Sequence, residues 1–183
     1  MQITFYGVRG STPAPGPTTV KYGGNTSCVL IELSNGQQLI LDAGTGIRAL
    51  GQQLLKNNAS INILLSHGHW DHIQGYPFFA PIFQSDRQIS VFTSDEGGHK
   101  LLCSLFDQMD GYHFPLKAED LPSNSECIFK AEETLLHEKN IHISKKALNH
   151  PGGGSAYRIH DEGTSCAYVT DNELDPPYKM NTR

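Results

Sequence analysis

The sequence places four potential metal ligands within six residues, in the stretch ILLSHGHWDHIQG (63–75). Neutral imidazoles and carboxylates suit zinc, manganese or iron. Because side chains alternate along an extended segment, His67 and His69 are expected to point to one side. A chain reversal can then bring Asp71 and His72 around a second point nearby. The spacing therefore predicts two metal ions that share one cleft.

A binuclear site needs more ligands than this stretch supplies, and two later segments offer them. His150 lies in LNHPGGG (148–154), at the end of a predicted strand, before glycines that allow a tight turn. Asp171 lies in AYVTDNE (167–173), at the end of another predicted strand. Alone, the first is typical of a turn residue and the second of a cap. Beside the first cluster, both become candidate ligands.

Three further residues are candidates for supporting roles. Asp42, in LILDAGTG, ends a predicted strand and either orients metal ligands from behind or caps a helix that begins near Thr45. Arg9, in the glycine-flanked stretch GVRGST, either contacts a phosphate through its planar donors or is an ordinary surface arginine. His113 lies in the irregular segment 107–124, which is a lid, a subunit contact or a surface loop, and it is a candidate to line the pocket.

The ligands follow elements that the hydrophobic pattern predicts. Alternating or continuous apolar runs predict strands, whereas apolar residues at helical spacing predict two helices. The strands are expected at 2–8, 27–33, 37–43, 61–65 and 89–93 and again from about 126 onward, and the helices at 46–57 and about 101–109. Strands and helices alternate early and strands dominate later, which indicates an α/β domain.

Composition excludes some classes of protein. A net charge of −5 and a pI near 5.9 give no basic face for long nucleic acid. A small anionic substrate is compatible with this charge, because metal ions can supply the local positive charge. No apolar run approaches the roughly 18 residues that span a membrane, and the amino terminus does not resemble a signal peptide. Four scattered cysteines without a CxxC pair are expected to be buried thiols, which favours a cytoplasmic location.

These motifs together carry a resemblance to a known family. SHGHWDH matches the HxHxDH signature of the metallo-β-lactamase fold superfamily, and LDAGTG, NHPGG and YVTDNE occur in the order of its other metal-site motifs. The opening YGVRGSTPAPGP…YGGNTSC resembles the phosphodiesterase-like branch, which is related to ribonuclease Z and to phosphodiesterases of cyclic phosphates and cyclic nucleotides. The resemblance covers essentially the whole chain as a single domain, 1–183.

The resemblance implies an αβ/βα sandwich with the site at one edge of two facing sheets. It implies that His67, His69 and His150 hold one metal, that Asp71 and His72 hold a second, and that the sixth ligand, Asp171, bridges both. The two divalent ions, zinc or manganese rather than iron, would lie roughly 3.5–4 Å apart and share a hydroxide that attacks phosphorus. Asp71 would also orient this nucleophile.

The function that this implies is a metal-dependent phosphodiesterase acting on a small substrate, with a cyclic nucleotide as one candidate and a homodimer expected by analogy. Four alternatives remain open: ribonuclease Z-like RNA processing, thioester or lactone hydrolysis, a di-iron oxidoreductase, and a metal-binding domain without turnover. The family normally supplies a further histidine well after the bridging aspartate, and residues 172–183 contain none. Either the chain is a truncated form of a longer hydrolase that lacks the closing strands and helices, which we expect, or a partner supplies the remainder.

Overall fold

The computed structural model describes residues 1–93, 98–129 and 141–174. Most of the segment 172–183, in which the further histidine is absent, lies outside these residues. Nine strands and three α-helices are present in the described part. The strands are β1 (Gln2–Gly7), β2 (Cys28–Glu32), β3 (Gln38–Leu41), β4 (Ile61–Leu65), β5 (Gln88–Thr93), β6 (Asn124–Phe129), β7 (His142–Ala147), β8 (Ser155–Asp161) and β9 (Thr164–Tyr168). The helices are α1 (Ile47–Leu54), α2 (Trp70–Ile73) and α3 (Gly98–Asp107).

The strands form two sheets. The first has the order β1-β2-β3-β4-β5-β6, and the second has the order β7-β8-β9. The first three strands of the larger sheet pair antiparallel, whereas β3 to β6 run parallel. Because β3 and β4 are parallel neighbours, the residues that follow them emerge at the same edge of the sheet. This edge is where binding sites of open α/β sheets form.

Both faces of the larger sheet are buried, so its central strands are almost wholly apolar. Ile40, Ile63 and Leu65 face one side, where they pack with Leu50 of α1 and Leu105 of α3. Leu41 and Leu64, which alternate with these residues, face the smaller sheet and form a second core with Ile159 of β8. The alternation therefore builds the layers helix, sheet and sheet, which agrees with one half and the facing sheet of the expected αβ/βα sandwich.

The sequence located most elements to within a few residues but missed the short ones. The predicted turn after His69 is a helical turn, α2, and single turns of 3-10 helix occupy Tyr76–Phe78, Ala80–Phe83 and Ala118–Asp120. These turns are too short to show helical periodicity. Helix α1 ends at Leu54, earlier than the predicted 57. Cys28 is buried as expected, but Cys103 and Cys166 are half-buried, and none of these three is in a disulfide.

No helix in the described ranges has the length and apolar character needed to cross a bilayer.

Polar contacts hold the two sheets together as well as apolar packing. The buried Tyr157 of β8 donates its hydroxyl to the Leu65 carbonyl at the end of β4, at 2.9 Å. The backbone N–H of Ser34, in the β2–β3 turn, donates to the carboxylate of Asp161. These bonds fix the smaller sheet against both ends of the larger one.

The Tyr157→Phe substitution is expected to lower the free energy of unfolding by about 1–2 kcal/mol, because it removes one buried hydrogen bond and keeps the ring. Urea unfolding of the purified chain measures the change. Tyr112→Phe is the matched control, since the Tyr112 side chain is 89% exposed and should tolerate the change. An unchanged unfolding midpoint in Tyr157→Phe would show that the bond contributes nothing.

Candidate metal centre

The end of β4 delivers the first ligands. Every residue of β4 is buried, and the strand is followed by the buried Ser66 and His67. His69 is extended, with φ −65° and ψ 148°, and precedes α2 as its N-cap residue. Asp71 and His72 therefore lie on a helical turn, not an open reversal, and both are buried. The two pairs of ligands face a common point because the chain changes from extended to helical between them.

Two glycines let the loop after β3 lie directly against this turn. A Cβ atom on Gly44 would come within 2.3 Å of the Asp71 carbonyl oxygen, and one on Gly75 would come within 2.1 Å of the Gly44 carbonyl oxygen. Ala43 donates its N–H to the His72 carbonyl at 2.7 Å. The glycines of LDAGTG and HIQG are therefore required by close backbone contact, and this contact fixes α2.

The smaller sheet supplies His150 from the turn after β7. Three successive glycines, Gly152 to Gly154, have positive φ, as the sequence predicted for a tight turn. The Gly153 N–H donates to the His150 carbonyl, and the Ser155 N–H donates to the Ser66 carbonyl. The second bond joins β8 directly to the end of β4, so it brings His150 to the first cluster.

Asp171 follows β9 and has a left-handed backbone, with φ 53°. The segment around it is held to the His150 turn by hydrogen bonds of Asn149. The Asn149 N–H donates to the Asn172 side-chain oxygen at 3.0 Å, and the Asn149 side-chain amide donates to the Glu173 carbonyl at 2.9 Å. The Asn149 carbonyl accepts a hydrogen bond from the Glu173 N–H at 2.8 Å. Asn149 therefore positions two ligand-bearing segments, although the sequence analysis gave it no role.

Three imidazoles converge in the first group of ligands. The His69 Nδ1 atom lies 3.1 Å from His67 Nε2 and 2.9 Å from His150 Nε2. Together with an Asp171 oxygen, one ligand atom from each of these residues lies within 4.8 Å of the others. A neutral imidazole has one nitrogen with a lone pair, and three such nitrogens facing one another suit a shared cation.

The second group contains Asp71, His72 and Asp171. The His72 Nε2 atom lies 3.0 Å from Asp171 Oδ2 and 3.5 Å from Asp71 Oδ2. The same Asp171 oxygen lies 3.4 Å from His67 Nε2, in the first group. The structure thus brings all six predicted ligands together and places Asp171 in both groups. Three imidazoles with one carboxylate, and one imidazole with two carboxylates, are donor sets that fit two divalent cations.

The electrostatics of the two groups differ. Burial, followed by the neighbouring His72, lowers the pKa of His67 to about 4, so this imidazole is neutral and can donate a lone pair near pH 7. Burial also acts to lower the pKa of His72, but the hydrogen bond and charge of Asp42 outweigh it, and the pKa rises to about 9. The proton on His72 thus supplies positive charge beside Asp71 and Asp171, which is the role that a cation would take there.

Asp42 is a buried carboxylate that accepts hydrogen bonds from the candidate ligand His72 and from residues next to the site. Its side chain is fully buried, and its backbone is left-handed, with φ 60°. The carboxylate accepts hydrogen bonds from His72 Nδ1 at 2.7 Å, Tyr168 OH at 2.6 Å and both the N–H and hydroxyl of Ser66 at 2.7 and 2.8 Å. When a cation takes the place of the Nε2 proton, His72 becomes neutral, and donation of Nδ1–H to Asp42 keeps its Nε2 lone pair directed into the site.

The alternative role of Asp42, capping α1, does not fit. The residue before α1 is Gly46, and this helix has no side-chain cap. The predicted orienting role matches the contacts instead.

Sequence reasoning missed several polar residues at the site. Besides Ser66 and Tyr168, these include Ser11, whose backbone N–H donates to Asp71 Oδ2 at 2.7 Å and whose φ is 67°. Ser11 lies in the amino-terminal loop, 60 residues from its acceptor. Two local signals were available: Ser66 directly follows the apolar run INILL, and Tyr168 lies three residues before Asp171. No local pattern marks Ser11.

Arg9 lies beside the ligands. It lines a cavity of about 270 Å³ together with His72, Tyr168 and Asp171. Its Nε donates to the Thr12 carbonyl at 2.9 Å, and its backbone pairs with Thr26. This position is compatible with the predicted phosphate contact, which stays a prediction.

His113 is not brought to the cavity by any described contact. Its side chain is 75% exposed, and its Nδ1 atom lies 2.6 Å from Asp110 Oδ2, in a loop closed by the bridge between Asp110 and Lys117. The neighbouring Phe114 instead packs against the helical core. The segment 107–124 is thus partly anchored, and the pocket-lining role of His113 stays a prediction that these contacts do not favour.

Three solved structures share the fold. The metallo-beta-lactamase fold protein YhfI from Bacillus subtilis is 20% identical, with a TM-score of 0.59. The short form of human tRNase Z is 17% identical, with a TM-score of 0.53, and zinc-bound PqqB from Methylobacterium extorquens is 18% identical, with a TM-score of 0.53. Each alignment covers 92% of this chain, but 61%, 68% and 62% of the respective structures. The chain thus spans about three fifths of YhfI.

A search of curated proteins gave no match. A family model described as a beta-lactamase superfamily domain matches residues 37–180, a range that includes all six candidate ligands. The match covers well over half of the chain. From this match, which agrees with the motifs and the fold of the chain, we conclude that the chain belongs to the beta-lactamase superfamily.

Proposed function

We propose that this chain is part of a metal-dependent hydrolase that cleaves a phosphodiester in a small substrate such as a cyclic nucleotide. The observation that carries the proposal is the pair of ligand groups that share one Asp171 oxygen, beside a cavity that both Asp171 and Arg9 line. The family consists mostly of metal-dependent hydrolases, which supports the general class of reaction.

Several residues of the chain would have distinct roles in such a reaction. Two bound divalent cations would supply Lewis acidity and would acidify a water molecule enough for it to react near neutral pH. Arg9 can balance negative charge on the phosphoryl oxygens, because its guanidinium donates two parallel hydrogen bonds to such groups. The Ser11 N–H fixes one oxygen of Asp71, so this carboxylate is held in place to orient the nucleophile.

The rest of the cavity wall suits the organic part of a substrate. Phe5, Val29 and Ala167 also line it, and Phe5 is 66% exposed. A small-molecule site usually combines apolar side chains with a few charged or polar groups. A phosphodiester with an apolar or aromatic substituent therefore fits the cavity better than a purely polar anion.

The metal content tests this proposal first. Elemental analysis of the freshly purified chain should find two equivalents of zinc or manganese. Bound iron with a redox response would instead support an oxidoreductase. Two equivalents of metal without hydrolysis of any phosphodiester would overturn the proposed reaction but leave the metal site intact.

His69→Ala is expected to abolish metal-dependent hydrolysis of bis(p-nitrophenyl) phosphate, because His69 Nδ1 is the atom on which the other two imidazoles of its group converge. Circular dichroism should show that the fold is kept, since the His69 side chain is exposed. His142→Ala, at an exposed position on β7, is the control and should keep full activity. Unchanged turnover in His69→Ala would refute the assignment of the ligands.

Asp42→Asn is expected to weaken metal affinity by roughly 10–100-fold, because the amide cannot accept the His72 proton as the carboxylate does. Competition with a chelator measures the affinity. Asp86→Asn is a matched control: Asp86 also has a left-handed backbone, with φ 61°, but it is exposed and outside the site. Asparagine tolerates this conformation, so the comparison isolates the hydrogen bonds from backbone strain. Equal affinities in the two variants would remove Asp42 from the metal centre.

A further inference from the structure

A second cavity flanks the metal centre. It has a volume of about 460 Å³ and shares the consecutive residues Val8, Arg9 and Gly10 with the first cavity. Its other walls come from the loop that contains Thr18, Lys21 and Tyr22. Arg9 thus stands between the two cavities. The volume of the first cavity, about 270 Å³, lies just below the usual range of about 300–1,000 Å³ for a ligand site. The combined volume of the two adjacent cavities falls within this range.

The charge of this region is opposite to that of the whole chain. Arg9 and Lys21 line the second cavity, and no carboxylate lines it. The first acidic residue of the sequence is Glu32, although the chain carries a net charge of −5. Neither cation forms an ion pair with any carboxylate in the part of the chain that the structure describes. The second cavity is therefore a local site of positive potential beside the metal centre.

Hydrogen bonds within the loop hold its backbone in place. The Ala14 N–H donates to the Gly24 carbonyl at 2.9 Å, the Gly23 N–H donates to the Thr19 carbonyl at 2.7 Å, and the Thr19 hydroxyl donates to the Ala14 carbonyl at 2.8 Å. The Ser11 N–H connects the same loop to Asp71. The loop is thus closed on itself and anchored to the metal centre, so its orientation relative to the ligands is defined.

The side chains at the second cavity are suited to a phosphate next to an aromatic ring. The Arg9 Nε bonds to Thr12, which leaves both Nη groups without a partner among the described residues. The Lys21 Nζ atom lies 4.8 Å from the centre of the Tyr22 ring, and the Tyr22 side chain is 73% exposed. An ammonium beside an exposed aromatic ring can bind a phosphate while the ring stacks on a base.

We propose that the second cavity binds a second phosphate of the substrate, so that the preferred substrate is a dinucleotide that carries a phosphate beyond the scissile one. Lys21 contacts this phosphate, Arg9 lies between it and the scissile phosphate, and Tyr22 contacts the adjoining base. The proposal rests on the proposed function, since it assigns the scissile phosphodiester to the metal centre. It deepens that function by naming the class of small phosphodiester.

The experiment compares two substrates with the same scissile bond: the adenylyl-adenosine dinucleotide with and without a 5′-phosphate. The parent chain should show a kcat/KM roughly tenfold higher for the phosphorylated form, as expected for one charge-assisted contact. In Lys21→Ala this ratio should fall close to one. Lys56→Ala removes an exposed lysine at the end of α1 and should keep the ratio.

Failure of this inference can be told apart from failure of the proposed function. Equal kcat/KM for the two dinucleotides in the parent chain, or a preference that survives in Lys21→Ala, would overturn the second cavity as a phosphate site. If no phosphodiester is hydrolysed, the proposed function fails. Calorimetric binding of the two dinucleotides to chelator-treated protein then decides the inference, with the same tenfold ratio and the same dependence on Lys21 required.

Discussion

The metal centre depends on one buried carboxylate. Asp42 sits at the end of β3 with no exposed surface, and burial of an ionised group is costly unless hydrogen bonds compensate for it. Its partners come from three places: Ser66 after β4, His72 on α2, and Tyr168 on β9. Because these donors belong to both sheets, the need to satisfy one carboxylate also fixes the relative position of the sheets at the site.

The segments that carry the ligands are also held by a backbone hydrogen bond between the sheets and by the hydrogen bonds of Asn149. The Ser155 N–H joins the two sheets at Ser66, and Asn149 connects the segment of His150 to that of Asp171. The strained left-handed conformation of Asp171 is consistent with a functional position, since the surrounding contacts must maintain it.

The amino-terminal loop joins the site from a distance in sequence. It orients Asp71 through Ser11, and it places Arg9 between the two cavities. The same loop therefore supports the metal ligands and faces the space that a substrate would occupy. This double contact links the proposed reaction to the proposed selection of a second phosphate. The segment is rich in glycine and proline because it must make tight turns.

The sequence by itself determined the six candidate ligand positions and the order of the main strands and helices, because a cluster such as HGHWDH and the periodicity of apolar residues are local signals. It also determined that Asp42 follows a strand, but not whether that carboxylate orients a ligand or caps a helix. Only the tertiary structure decided this, as it decided the roles of Ser11, Asn149 and Tyr168 and the exposed position of His113. Those roles depend on contacts between residues far apart in the chain, and no local spacing encodes such contacts.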